Sequence, residues 1–254
     1  DPVAARGTPD RAVDPEAGGL MGVIEWFLDP ANWTGENGIP VRTWQQIEIS
    51  LAAMAIALVI ALPVALTLGH LRKGVFLATN IGNVGRAVPT LGVLTILASI
   101  PEIGIGNLAA ILALALFAIP PVLTNTYTGL AGVDDEVRDA ARGMGMGGMG
   151  ILARVEVPLA VPLIAAGIRT ATVQVVATAS LAALVGSGGL GRYVVDGFAL
   201  QDNTLIIAGA ILTAALAVVA ELLLAGVQRW VTPKGLREQS RAEIEVQEIP
   251  VATH

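Results

Sequence analysis

Three charged residues, Arg86, Arg169 and Glu221, stand inside otherwise apolar segments of this chain. A charge at membrane depth is costly and normally faces the protein interior or water, so such residues can line or gate a polar pathway. They can equally pair or snorkel, and Arg169 reads as a structural or gating group before a substrate contact. Glu221, close to the end of its apolar segment, can reach the interface. Other chemistry is sparse. His70 and His254 are too remote in sequence to form a metal-ligand pair, and His70, beside Arg72 and Lys73, reads as part of a basic membrane edge. With no cysteine, disulfides and thiolate metal sites are excluded. Gly186-Ser187-Gly188-Gly189-Leu190-Gly191 matches GxGxxG by letter, but a dinucleotide fingerprint needs a strand before it and a helix after it. Here it follows an apolar helix, so the glycines shape an outer loop or a helix break. No GxxxxGK[ST] occurs, so no P-loop holds ATP. Neither a catalytic set nor a metal or cofactor site is expected.

The elements that must position these residues are membrane helices. The chain is 54% hydrophobic and 14% charged, against roughly 25% charged in soluble domains. Ile49 to Leu68 is an uncharged run, and about 20 such residues cross a bilayer core. The fold class expected is an all-α integral membrane bundle of about five spans, near 49–68, 76–100, 105–123, 160–185 and 205–224. The third should end at Pro120-Pro121. Residues 1–43 read as a tail, in which Leu20 to Leu28 lies on the membrane surface with Trp26 and Phe27 dipping in. Residues 44–230 form the membrane domain, and 231–254 a cytoplasmic tail. With the N-terminus outside, the cytoplasmic segments hold nine Lys and Arg residues against four outside, which favours N-out, C-in. The four tryptophans fall outside the proposed spans, as interfacial anchors should. Residues 1–48 hold eight acids and three arginines, which argues against a nucleic-acid partner.

Between the third and fourth spans lies a cytoplasmic loop, 133–158. It opens with Asp134, Asp135 and Glu136, a favourable helix start by charge. A short helix through Asp139-Ala140-Ala141 follows, whose alanines allow another surface to come close. Gly143 and Gly145 permit a sharp turn, and Pro158 should stop one element and start the next. A loop of this length with so many special residues is uncommon unless it functions.

Asp139-Ala140-Ala141, then Gly145, then Val155-Glu156-Val157-Pro158 resembles the "EAA" loop of binding-protein-dependent ABC importer permeases. That pattern is Glu-Ala-Ala, three residues, Gly, nine residues, then Ile-x-Leu-Pro. Residues 119–145, 156–172 and 184–197, including Asn125-Thr126-Tyr127-Thr128-Gly129 and Ala166-Gly167-Ile168-Arg169-Thr170-Ala171, are similar to the osmoprotectant branch, which imports glycine betaine, choline, carnitine and related amines. The resemblance implies a type I permease of the bacterial cytoplasmic membrane. A second permease copy or paralogue, ABC ATPase subunits carrying ATP and Mg, and an extracytoplasmic binding protein would be its partners. Asp139, Ala140, Ala141, Gly143, Gly145, Val155, Val157 and Pro158 would dock the ATPase. Gly186, Gly188, Gly189 and Gly191 would face the binding protein, and Asn125, Tyr127, Arg169 and Glu221 would line or gate the pathway. The aromatic side chains of the membrane part, Phe76, Phe117, Tyr127, Tyr193 and Phe198 among them, are too dispersed for a quaternary-ammonium cage. Tight selection is therefore expected on the separate binding protein. The alternatives are a permease for amino acids or methionine, or an ion-coupled secondary transporter. The latter would carry inverted repeats and midplane carboxylates.

Overall fold

A computed structural model describes residues 19–73 and 89–231. The elements are α1 (Leu20–Leu28), α2 (Ile39–His70), α3 (Thr90–Ala98), α4 (Asn107–Ala131), α5 (Asp135–Gly143), α6 (Gly148–Val185), α7 (Gly191–Leu200) and α8 (Asn203–Val231), with a 3₁₀ turn at Pro30–Trp33. The described residues contain no strand. Four helices, α2, α4, α6 and α8, are long and apolar enough to cross a membrane. Of the expected second span, only α3 and the turns after it lie among the described residues; Arg86 and Phe76 lie outside them.

Helix α4 is the centre of the bundle, packed between α2 and α6. Its buried face is a run of small residues, Ala109, Ala110, Ala113, Ala115 and Ala118, meeting Ala53, Ala57, Ala61 and Ala65 of α2. Small residues let backbones approach, which drives helix association where lipid removes the hydrophobic contrast. Gly167 shows how close that approach is: a Cβ there would stand 2.7 Å from Asn125 Cβ and 3.0 Å from the Pro121 carbonyl. At Gly129 the clearance is 3.1 Å to Ala160 and Leu163.

Three boundaries differ from the sequence reading. Helix α2 begins at Ile39, directly after Gly38 with Pro40 in its first turn. Its first turns are polar because they anchor the outer end of the bundle. Helix α4 does not end at Pro120-Pro121 but continues to Ala131. Enclosed on both sides, the helix keeps its course despite the missing donors. Pro158 does not stop an element either. α6 widens into a π turn over Leu152–Glu156, with the Val157 N–H donating to Leu152 O. The wide turn makes room for a ring that would otherwise strike the preceding turn.

Helix α1 forms as expected, but Trp26 and Phe27 turn inward. Trp26 packs edge-on against Tyr193 at 5.3 Å and Phe27 at 5.2 Å, and the exposed apolar residues of α1 are Leu20, Met21, Ile24 and Leu28. Trp44 lies within α2 rather than outside the first helix, exposed near its outer end; Trp230 is exposed in the last turn of α8.

Candidate functional site

Helix α5, in the segment expected to be cytoplasmic, has two unlike faces. Asp134 caps α5, its carboxylate accepting the Glu136 N–H at 3.1 Å. The helix ends in a Schellman turn, with Met146 N–H donating to Ala141 O at 3.1 Å and Gly145 N–H to Arg142 O at 2.9 Å. That turn needs a left-handed residue, and Gly145, at φ +82°, supplies it. Gly143 is helical and has open space above it, so the sharp turn is the work of Gly145 alone. Outward, α5 and the following turn expose Val137, Asp139, Ala140, Arg142, Gly143, Met144, Gly145 and Met149. Of the other residues expected to meet a partner, Pro158 is exposed, Val155 and Val157 are half-buried, and Ala141 is buried under the helix.

The inward face carries a charge cluster. Arg138 and Glu156 are 3% and 1% exposed. Arg138 Nη2 donates to Leu130 O at 2.7 Å, and its Nε lies 3.2 Å from Glu156 Oε1 as an ion-pair contact, without hydrogen-bond alignment. Glu156 Oε2 is 2.7 Å from His70 Nδ1. An ionised carboxylate only accepts, so Nδ1 carries the hydrogen whether the ring is neutral or protonated. Arg72 of the same corner pairs with Asp135 at 2.6 Å and donates to Val133 O. The ends of α2 and α4, helix α5 and the π turn of α6 are thus joined by buried polar bonds. His70 is a member of this cluster and not merely a basic membrane edge. A lone Glu at the variable position of Val155-Glu156-Val157-Pro158, among apolar neighbours, was the available signal. The apolar exposure of Val137, Met144 and Met149 was also missed, because in sequence they look like loop filler.

At the outer end, the glycine run is pinned by amides of α2. Gln46, fully buried, donates to Val176 O at 3.0 Å and accepts the Leu190 N–H at 3.2 Å, and Gln45 accepts the Gly189 N–H at 3.0 Å. A Cβ on Gly188 or Gly189 would stand 2.4 Å from those amide oxygens. Gly186 is exposed, Gly188 half-buried, and Gly189 and Gly191 buried. Tyr193 donates to Asn37 O at 2.6 Å, and burial pushes its phenol up from the ordinary range.

Arg169 and Glu221 pair through Nη2 and Oε1, joining α6 to α8, and Arg169 Nη1 donates to Gln228 Oε1 at 3.0 Å. They line an open cavity of about 400 Å³. Glu221 is not at the end of its helix: it lies ten residues before Val231, about 15 Å along the helix. Asn125 and Tyr127 do not reach this cavity. Asn125 packs on Gly167 and bonds its own helix at Pro121 O, and Tyr127 is buried in the α2–α4 core.

Residues 57–235 match the family described as binding-protein-dependent transport system inner membrane component. The chain is 38% identical, over 77% of its length and 89% of the relative's, to the glycine betaine/carnitine/choline transport system permease protein OpuCB of Bacillus subtilis. It is 38% identical to the carnitine transport permease protein OpuCB of Listeria monocytogenes, over 80% and 93%. To the osmoprotectant import permease protein OsmW of Salmonella typhimurium it is 32% identical, over 85% and 100%. Among solved structures, an inward-facing MetNI methionine ABC transporter chain superposes with a TM-score of 0.68 over 81% of this chain and 99% of that one, at 23% identity, a likeness of fold. The chain belongs to the inner-membrane components of binding-protein-dependent transport systems: it is an all-α, multi-pass transport permease subunit.

Proposed function

We propose that this chain is half of the pathway of an ATP-driven importer for quaternary-amine osmoprotectants such as glycine betaine, carnitine or choline. The observation that carries the coupling part is the division of α5: Val137, Ala140 and Gly143 face out among the exposed charges of Asp135, Glu136, Asp139 and Arg142, while a buried charge cluster fastens its underside to three spans. A surface of that kind suits docking to a soluble partner, and a rigid base suits transmitting its movement. In this reading Val137, Ala140, Met144 and Met149 meet an ATPase subunit, and Asp139 and Arg142 flank them. The substrates of the relatives supply the class of cargo. A binding protein docks at the opposite end, near exposed Gly186, and a second permease subunit completes the pathway. ATP closes the paired ATPases, and the binding protein favours the outward-open state. Such ligands shift the equilibrium only by their differential affinity for the two states.

The test is uptake of labelled glycine betaine and choline into proteoliposomes holding this chain, its ATPase and its binding protein. ATP is compared with an imposed ion gradient. Uptake that requires ATP and binding protein is the expected result; uptake on the gradient alone would sink the proposal. Gly145→Asp, exposed but at a left-handed φ of +82° that strains any side chain, should distort the turn after α5 and lose uptake while the membrane helices stay folded.

A further inference from the structure

Arg169 and Glu221 are each about one-third exposed, at 35% and 36%, on helices whose other exposed side chains are mostly apolar. Arg169 is about 18 Å along α6 from Val157, and Glu221 about 15 Å from the end of α8, so both lie deep within a hydrocarbon core of about 30 Å. Partly exposed charges at that depth are costly in lipid and normally face the protein interior or water. The lipid side of α8 is instead the far one, where Val219, Leu222, Leu223 and Trp230 are exposed. The charged face is continuous: Arg169, Thr170, Val173 and Gln174 follow helical spacing along α6, and Glu221 and Gln228 do so on α8. Such a face suits the wall of a water-filled space.

Its chemistry is specific. Arg169 commits Nη1 to Gln228 and Nη2 to Glu221, and among the described residues its remaining N–H donors have no partner. The Gln174 amide likewise has no described partner. The pair is neutral as a whole, so it neither concentrates nor repels ions. A ligand carrying both charges can replace each half in kind. A bare cation can satisfy Glu221 only by leaving the guanidinium uncovered, and a bare anion has the converse defect.

Resting on the proposed importer reading for the identity of the cargo, we infer that the Arg169–Glu221 pair is a weak binding site for zwitterions. The ligand's carboxylate takes the guanidinium and its quaternary ammonium group faces Glu221, so the site favours betaines over choline. Exchange of partners within an existing ion pair also keeps the site shallow, as a pathway that must release its cargo requires.

The chain has no cysteine, so Thr170→Cys places one thiol on the cavity wall. The full complex in nanodiscs is treated with a small maleimide, and labelling of this chain is followed. The thiol should react, and glycine betaine at about twice its Kd should slow the reaction about threefold, while choline at equal concentration does not. In the Thr170→Cys, Arg169→Gln background the thiol should still react and protection should disappear. An unreactive thiol means the face is covered and overturns the inference. So does equal protection by choline, no protection, or protection that survives Arg169→Gln. ATP-driven uptake by the wild type is scored separately: its failure with protection intact removes the importer reading and leaves the site, and the reverse result removes the site alone.

Discussion

Arg138→Ala should unfasten the cytoplasmic helix far more than Arg142→Ala, although the two arginines lie four residues apart on α5. Arg138 sits at 3% exposure over Glu156 at 1%. Truncating it leaves a carboxylate in the interior with His70 as its one remaining polar partner among the described residues, and removes one of the two donors to the Leu130 carbonyl, which keeps the Val133 N–H. Removing one partner of a buried pair costs about 3–5 kcal/mol, or two to three and a half orders of magnitude in a local opening equilibrium at about 1.4 kcal/mol per tenfold. Arg142 pairs with Asp139 at 2.9 Å with exposures of 62% and 71%, and a pair of that kind is worth at most about 1 kcal/mol, or about fivefold. Amide hydrogen exchange over Asp135–Gly143, in the full chain in nanodiscs, reads the difference directly. Protection should collapse in Arg138→Ala and barely move in Arg142→Ala. The double variant Arg138→Ala, Glu156→Gln should recover part of the loss, because it removes the stranded charge. If Arg138→Ala stays within about fivefold of the control, or the double variant is worse than the single, the buried charge is not what holds the helix.

Three further outcomes follow from the packing. Gly167→Val must push α6 off α4 at Asn125 and Pro121, and overpacking of that size costs about 1–3 kcal/mol; thermal unfolding in detergent should show it, with Gly226→Val, in open space, as the silent comparison. Gln46→Leu leaves the Leu190 N–H and the Val176 carbonyl unpaired in the interior, at about 1–3 kcal/mol for each group, and should expose 186–191 to proteolysis from outside. Tyr193, held above its ordinary pKa by burial, keeps its proton in the folded state longer than in the unfolded one. Its contribution is complete below about pH 10 and declines as pH rises past that value, so Tyr193→Phe should flatten the alkaline limb of a stability–pH profile.

What the sequence made legible follows from period and composition. Long apolar runs are determined by the bilayer, and the helices through 49–68, 105–123, 160–185 and 205–224 are where those runs put them. The loop pattern likewise located α5, since Asp134 and Gly145 each impose a local geometry readable from their own residue type. The ends of elements were less legible. Prolines 120, 121 and 158 punctuate a helix in water, but here neighbouring spans and a π turn carry the chain through them. The partner of Glu156 was illegible for another reason. His70 lies 86 residues away, and only the antiparallel return of α6 along α4 and α2 brings the two together. The glycines of 186–191 pointed to an outer loop or a helix break, and α6 does end at Val185, but nothing in them told that amides of α2 would close against it.

The distribution of polar ties also decides which parts of the bundle can move. At the end that carries α5, α2, α4 and α6 are joined through His70, Arg138 and Glu156; at the opposite end, α2 and α6 are joined again through Gln46. Helices pinned to each other at both ends cannot tilt separately without breaking buried bonds, so they move as one body. α8 is different. Its apolar span is only 11% buried. Its outer end is held by α7, where a Cβ on Gly209 would meet Tyr193 at 2.8 Å, while its cytoplasmic half is tied to α6 by Arg169–Glu221 and by Gln228, which donates to Pro162 O at 3.3 Å. Those ties are exposed to the cavity, where water or a polar ligand can substitute for either partner at little net cost. The place where the bundle can open is therefore the place where its charges line the open cavity. Making the tie apolar, with Arg169→Met and Glu221→Leu together, should hold α8 more tightly and slow uptake without disturbing assembly. Faster uptake in that variant would show that the charged tie restrains the motion instead of permitting it.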